Sequence, residues 1–178
     1  MLLLIDNGAD VNLCVDDGTS PLFKACENGH DSIVQLLLKN GANINWCRNT
    51  GASPLFIACQ NKHDSTVKLL VENAADVNLC KDTGASPLYI ACLYGHDSIL
   101  KILLKNGANI NLCKNDGASP VFIACKERHC STVQLLINNG ADINLPTADG
   151  RSPLTIALHK DLVSIVHLLT RSGAEVNL

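Results

Sequence analysis

Residues 51–59 read Gly-Ala-Ser-Pro-Leu-Phe-Ile-Ala-Cys, and the recurrence of this stretch decides the fold. Its glycine returns at positions 18, 84, 117 and 150, and its proline at 21, 87, 120 and 153, always 33 residues apart. A period of this length, kept without insertion or deletion, is typical of proteins that stack copies of one small structural unit. The sequence therefore predicts a solenoid.

The same period predicts the organisation of the chain, which forms a single domain over residues 1–178. It contains a partial repeat at 1–17, complete repeats at 18–50, 51–83, 84–116 and 117–149, and a near-complete last repeat at 150–178.

Each repeat predicts two short helices separated by a polar segment. Ser53 suits an N-cap, and Pro54 suits the first helical position, where a missing N–H costs nothing. Leu55, Ala58 and Cys59 then form an apolar face whose small members let a neighbouring helix approach closely. The unit is too small to bury both faces alone, so neighbouring units must pack together.

The second helix of the repeat is predicted to start with Asp64 or Ser65 as its N-cap and to end near Asn73. Its expected buried residues are Val67, Leu70 and Val71. In most repeats the end is Asn-Gly, as at residues 40–41, where glycine takes a left-handed conformation. The alternating stretch 76–84 predicts an extended, hairpin-like connector to the next repeat.

Composition excludes several classes of partner. The 178 residues carry 14 Lys and Arg against 17 Asp and Glu, interspersed along the chain, so a nucleic-acid partner is not expected. The longest aliphatic run, residues 2–5, is far shorter than a membrane span, so no membrane partner is expected either. Only six residues are aromatic, so small and aliphatic side chains must fill the core.

The spaced positions of the repeat resemble those of the ankyrin repeat over the whole chain. The resemblance rests on Gly-x-Ser-Pro-Leu-Phe-x-Ala-Cys at a 33-residue period, a Gly-His pair after the first helix, and Leu-Leu-Leu-x-Asn-Gly-Ala-Asn-Ile-Asn closing the second. It implies an all-α solenoid of antiparallel helix pairs joined by β-hairpin-like connectors, whose concave side carries the connectors and first helices. It also implies a protein–protein interaction module with a protein or peptide partner and no cofactor.

One position departs from the family pattern. Ankyrin repeats have Thr-Pro-Leu-His where this chain has Ser-Pro-Leu followed by an aromatic residue. We expect Phe23, Phe56, Tyr89 and Phe122 to replace the histidine contact with apolar packing. The resemblance further implies that the connector asparagines could be hydroxylated, although hydrogen bonding within the connector is the favoured role for Asn12, Asn45, Asn78, Asn111, Asn144 and Asn177.

Nine cysteines raise the alternatives of a disulfide or a metal site, and neither is favoured. One ladder, Cys26, Cys59, Cys92 and Cys125, is interpreted as small buried side chains. A second ladder in the connectors, Cys14, Cys47, Cys80 and Cys113, lacks the spacing of a zinc site. Neighbouring rungs, roughly 10 Å apart, are too distant for a disulfide. Cys130 is the candidate exposed thiol, and nine thiols favour a reducing, intracellular and cytoplasmic location.

No enzyme is expected. Histidines recur at positions 30, 63, 96 and 129, which indicates a repeated structural hydrogen bond, since a catalytic group is needed once. No nucleophile, phosphate-binding loop or isolated carboxylate pair stands outside the repeat.

The candidate binding site consists of positions that differ between repeats and that the resemblance places in the concave groove. Leu93 and Tyr94 are the expected centre, since they form an apolar spot among polar side chains. Trp46 is a second candidate, with a structural role in covering the connector as its alternative. The full set is Trp46, Asn49, Thr50, Gln60, Asn61, Asp82, Thr83, Leu93, Tyr94, Asn115, Asp116, Lys126, Glu127, Arg151, His159 and Lys160.

The alternative function is a structural spacer or scaffold segment with no specific ligand. Residues 1–5 are apolar and uncapped, which predicts a fragment of a longer array. A monomer is expected, with association through that apolar edge as the alternative.

Overall fold

The structure, a computed structural model, describes residues 7–175 and confirms an all-α solenoid. Those residues form ten α-helices in five consecutive pairs and no β-strand. The first helices of the pairs are α1 (Pro21–Glu27), α3 (Pro54–Gln60), α5 (Pro87–Tyr94), α7 (Pro120–Lys126) and α9 (Pro153–His159). The second helices are α2 (Asp31–Lys39), α4 (Asp64–Glu72), α6 (Asp97–Lys105), α8 (Cys130–Asn138) and α10 (Val163–Arg171).

The first helices begin as the Ser-Pro pair predicts. The Ser53 hydroxyl accepts a hydrogen bond from the backbone N–H of Phe56 at 3.1 Å, and Pro54 is the first helical residue. The other four pairs repeat this cap, and Ser152 and Thr155 extend it to a reciprocal capping box. Because the cap depends on neighbouring residues alone, local sequence predicts it correctly.

The predicted N-cap of the second helix is wrong. Asp64 is the first helical residue, and the N-cap is His63, whose side chain makes no cap hydrogen bond. In the preceding helix pair the equivalent carboxylate, Asp31, accepts a hydrogen bond from Thr66 of the next repeat. The histidine ring and the carboxylate therefore face neighbouring repeats. The sequence of a single repeat does not predict such contacts.

The second helices end as predicted, at Asn40 and Asn73 in the first two complete repeats. Gly41 follows with φ +84°, and its equivalent Ala74 has φ +63°. Glycine adopts this left-handed conformation without steric cost, whereas alanine does not.

The connectors are successions of tight turns, and the expected extended hairpin strands do not form. In one connector the Arg48 N–H donates to Ala52 O and the Gly51 N–H donates to Arg48 O. Neighbouring connector tips are joined by single backbone hydrogen bonds, such as Asn49 N–H to Asp17 O at 3.0 Å. Turns at both ends of the short connector leave too little extended chain for a ladder.

The core is a stack of thin layers centred on the first helices. The four cysteines of the first-helix ladder are fully buried, as predicted, beside alanines that are also inaccessible. The first helices pack more closely against one another than the second helices do. The connectors and first helices lie together on one side of the stack, which we call its inner side, because connector side chains contact first-helix rings there.

The contacts between repeats alternate with a period of two repeats. Gly29 and Gly95 lie against the rings of His63 and His129, where an added Cβ would come within 2.6 and 2.7 Å of a ring nitrogen. At the other boundaries the glycine is replaced by Lys62 or Arg128, each with positive φ. The buried side chain facing each boundary alternates in step, with Thr66 and Thr132 at the first type and Ile99 and Ile165 at the second.

None of the helices within residues 7–175 has the length and apolar character that crossing a membrane requires. The apolar edge at residues 1–5 and the connector asparagine Asn177 lie outside the described residues. The repeat boundaries within the domain stay predictions.

Candidate functional site

The inner side of the stack carries a row of cations over aromatic rings. The Arg48 guanidinium lies 5.2 Å from the ring centroid of Phe23, and the Lys81 ammonium lies 5.9 Å from that of Phe56. Both rings are buried, which confirms their predicted packing role. Each cation comes from the connector that follows the aromatic residue, so the contact ties a connector to the preceding first helix.

The last of these contacts is built differently. Thr147 stands at the connector position occupied by Arg48 and Lys81, and the cation is instead Arg151, whose guanidinium lies 5.9 Å from the Phe122 ring centroid. Arg151 is paired with Asp149 at 2.6 Å. The hydrogen bonds from Arg151 and Thr147 lower the pKa of the Asp149 carboxyl to about 2. In this repeat the cation therefore comes from the other side of the turn, and the contact between a cation and the aromatic ring is preserved.

A cavity of about 250 Å³ lies between the last two connector tips and the first helices. Tyr89, Phe122 and Ile123 supply its apolar lining. Its charged residues are Lys114, Asp116, Lys126, Asp149 and Arg151. Burial, together with nearby Asp116 and Glu127, raises the pKa of the Tyr89 hydroxyl to about 12, so it stays protonated.

A second cavity of about 370 Å³ adjoins the first and shares Lys126 and Arg151 with it. Thr155 and Ile156 of α9 supply its uncharged lining, and its remaining residues are His159 and Lys160. The Lys160 ammonium donates to the backbone carbonyl of Lys126 at 2.9 Å. The structure therefore brings together five of the predicted site residues, Asp116, Lys126, Arg151, His159 and Lys160.

The predicted centre lies at the end of α5, one repeat before Lys126 and two before Lys160. Tyr94 is 48% exposed, and its ring stacks on that of His96 with a centroid distance of 5.7 Å. Leu93 is half-buried, and its carbonyl interacts with the His129 ring at 3.0 Å. We call these two side chains the apolar step; they line neither cavity, although Tyr89 of the same helix α5 lines the first.

Trp46 lies in a connector, away from both cavities. Its indole N–H donates to the carbonyl of Gly18 at 3.2 Å, and the side chain is 43% exposed. This contact matches the structural alternative considered for Trp46, since it bridges two successive connectors.

Several other candidate site residues make structural hydrogen bonds between repeats, although their variability suggests that they are free of such contacts. The Asn49 side chain donates to Asp16 O, that of Asn115 to Asp82 O, and that of Asn61 to Glu27 O. Backbone groups of Thr50, Asp82 and Thr83 bond neighbouring connectors. Gln60 is half-buried at the end of α3, and Glu127 is exposed just beyond α7. Variation between repeats therefore does not by itself separate binding from packing.

The recurring histidines and asparagines hold neighbouring repeats together. The rings of His63 and His129 bond the carbonyls of Glu27 and Leu93, each at 3.0 Å. Connector asparagines accept from the backbone of the next connector, as Asn78 does from Asn109 N–H at 2.7 Å. His63 and His129 make the predicted structural bond, and the described connector asparagines bond the following connector rather than their own. Hydroxylation stays a prediction.

All nine cysteines are free thiols in the structure. Burial raises the pKa of Cys26 to about 12, and it also raises the pKa values of Cys59 and Cys92. Cys130 is exposed at the start of α8. Within residues 7–175, no three His, Cys, Asp or Glu side chains are grouped so that they could hold a metal ion.

Lys114 and Tyr89 line the first cavity although neither was predicted to be a binding residue. The signal available was the cation at positions 48, 81 and 114, whose replacement by Thr147 coincides with the arginine at 151. A change at one position matched by a change at a nearby one indicates a shared contact.

The helix pairs, connectors and inter-repeat ladders define a helical repeat protein. Ankyrin-repeat models match residues 1–82, 40–112, 67–147 and 88–178, and the chain belongs to the ankyrin-repeat family. Ankyrin repeats are generally protein–protein interaction modules and typically not enzymes. A comparison with curated proteins found no match.

Proposed function

We propose that this chain is a protein-binding module that holds a partner protein or peptide in the groove between its connectors and first helices. The observation that carries the proposal is the apolar step of Leu93 and the half-exposed Tyr94, on the same helix α5 that lines the first of two adjoining cavities. Tyrosine is among the residues most enriched at the positions that dominate binding energy.

The stack presents this groove already ordered. Tyr94 is held by its stacking on His96, and Lys160 is held by its hydrogen bond to the Lys126 carbonyl. A partner therefore meets side chains whose conformational freedom is already restricted, which lowers the entropic cost of association.

The test is capture of partners from lysate of the source cells by the intact chain, by Tyr94→Asn and by Val163→Ala. Val163 is 64% exposed on α10, so Val163→Ala controls for loss of an exposed apolar side chain elsewhere. We expect partners retained by the intact chain and by Val163→Ala to be lost from Tyr94→Asn, at nearly unchanged thermal stability. Identical captures from all three would favour a spacer or scaffold segment instead.

We further propose an intracellular, cytoplasmic location. Support comes from nine free thiols, one of which is exposed on α8. Reducing compartments preserve such thiols, whereas oxidising ones do not. A fluorescent fusion that accumulates in the cytoplasm is the expected result, and accumulation in the secretory pathway would contradict it.

A further inference from the structure

The groove changes in chemical character along the stack. One position near the end of each first helix is Glu27, Gln60, Leu93, Lys126 and His159 in successive repeats. The side chain at this position thus changes from acidic through neutral and apolar to basic along the stack. The following position is Tyr94 in the third complete repeat and Lys160 in the last.

The cations that line the two cavities outnumber the carboxylates, even when the nearby Glu127 is counted. Lys114, Lys126, Arg151 and Lys160 line the two cavities against only two carboxylates there, which are already paired, Asp116 with Lys114 at 2.7 Å and Asp149 with Arg151 at 2.6 Å. Lys126 makes no side-chain hydrogen bond or ion pair with any described residue, and Lys160 donates only to a neutral carbonyl. Two cations therefore remain available to a ligand.

At the other end of the stack the corresponding charges are paired with each other. Glu27 is bonded to Lys24 at 2.5 Å, and Asp17 is bonded to Arg48. Lys81 makes no ion pair with a residue that the structure describes either, but its ammonium lies over the Phe56 ring. Lys126 and Lys160 have neither an ion pair nor such a ring contact among the described residues, and they lie one and two repeats beyond Leu93 and Tyr94.

From this arrangement we infer the chemistry of the partner, an inference that rests on the proposed function. The groove selects an extended acidic peptide segment that places an apolar residue on Leu93 and Tyr94 and carboxylates over Lys126 and Lys160. The apolar lining of Ile123, Ile156 and Phe122 favours a peptide over a uniformly charged polyanion.

The repeat spacing sets the spacing of the partner's side chains. Neighbouring first helices are roughly 10 Å apart, and an extended peptide in the polyproline II conformation rises about 3.1 Å per residue with three residues per turn, so every third side chain points the same way. One repeat therefore corresponds to about three peptide residues. The expected motif is an apolar residue with acidic residues three and six positions away on the same side.

The experiment uses fluorescent ten-residue peptides of serine and measures binding to the full chain by anisotropy. The main probe carries one phenylalanine and glutamates three and six residues beyond it, made in both chain directions. One control replaces the glutamates by lysines, a second moves them next to the phenylalanine, and a third keeps the phenylalanine alone. An oligothymidylate of equal charge is the polyanion control.

We expect the main probe, in one direction or the other, to bind about tenfold more tightly than the lysine control, as two half-exposed ion pairs would give. Lys126→Glu should remove this preference. That change leaves the Lys160 hydrogen bond in place, because the bond uses the backbone carbonyl of residue 126. Lys101→Glu, an exposed site on α6, is the matched control and should leave binding unchanged.

Equal binding of the acidic and lysine peptides, no binding of any peptide, or equal binding of the oligothymidylate would overturn the inference. The proposed function is judged separately. If the phenylalanine-only peptide binds and Tyr94→Asn abolishes that binding, the apolar anchor stands even where the charge preference fails. A charge preference that survives Tyr94→Asn would support the basic end while removing the anchor.

Discussion

One aspartate position, at the start of the second helix, has different surroundings in alternate repeats. Asp31 accepts a hydrogen bond from the buried Thr66 hydroxyl, and Asp97 accepts one from Thr132. Asp64 has a buried carboxylate oxygen with no hydrogen-bond partner among the described residues, because the residue facing it across the boundary is Ile99. In the next repeat with that surrounding the position is Cys130, which has no carboxylate to satisfy.

This difference predicts unequal effects of the same substitution. Both Asp31→Ala and Asp64→Ala remove a negative charge from the first turn of a helix, so that common loss cancels in the comparison. Only Asp31→Ala also leaves the buried Thr66 hydroxyl without its hydrogen-bond acceptor. We expect Asp31→Ala to lower the free energy of unfolding by about 1–3 kcal/mol more than Asp64→Ala does, measured by urea denaturation. Equal losses would show that the Thr66 bond contributes nothing.

At the level of elements, the turn between the two helices of a repeat is shaped by the repeat that follows. Gly95 and Gly107 both have positive φ, at 66° and 85°. An added Cβ at Gly95 would meet the His129 ring at 2.7 Å, whereas one at Gly107 would meet nothing within 4 Å. The first turn thus requires glycine for space as well as for conformation.

Alanine substitutions at these two glycines separate the two requirements. Gly107→Ala should lower the free energy of unfolding by about 1–2 kcal/mol, because alanine must adopt a left-handed backbone conformation there. Gly95→Ala should lower the free energy of unfolding by about 1–3 kcal/mol more than Gly107→Ala does, because the His129 ring must shift from its hydrogen bond to Leu93 O. Thermal denaturation of both variants tests this, and similar midpoints for the two would show that the ring moves freely.

The elements also show where sequence reasoning succeeds. The first-helix starts and the second-helix ends are set by adjacent residues, such as Ser53-Pro54 and Asn40-Gly41, and were predictable. The second-helix cap was not, because the histidine and aspartate there bond to residues of neighbouring repeats. For the same reason the charged residues of the candidate site could be proposed from variability, but not the cavities in which they meet.

Across the whole molecule, the nine thiols fall into three degrees of accessibility. Cys130 is exposed, the four connector cysteines are half-buried, and the four first-helix cysteines are buried. Each of the connector thiols also donates to a nearby asparagine carbonyl, as Cys80 does to Asn78 O at 3.4 Å. A thiol reacts as its thiolate, so burial that raises the pKa also slows modification.

We expect a disulfide reagent at pH 8 to modify one thiol of the folded chain rapidly. Cys130→Ser should abolish this fast phase, whereas Cys14→Ser should not. Cys26, Cys59, Cys92 and Cys125 should react only when denaturant unfolds the stack, since burial raises the pKa of each. Rapid modification of any of these four in the absence of denaturant would contradict the packing described.

The two-repeat alternation has a consequence for how such an array can change in length. Removing residues 51–116 would join the first complete repeat to the fourth. Asp31 would then face Thr132 in place of Thr66, and Gly29 would face His129 in place of His63, so both contacts would be kept. Removing residues 51–83 alone would set Asp31 against Ile99. The natural unit of growth or loss in this chain is therefore a block of 66 residues, twice the period that its glycines display.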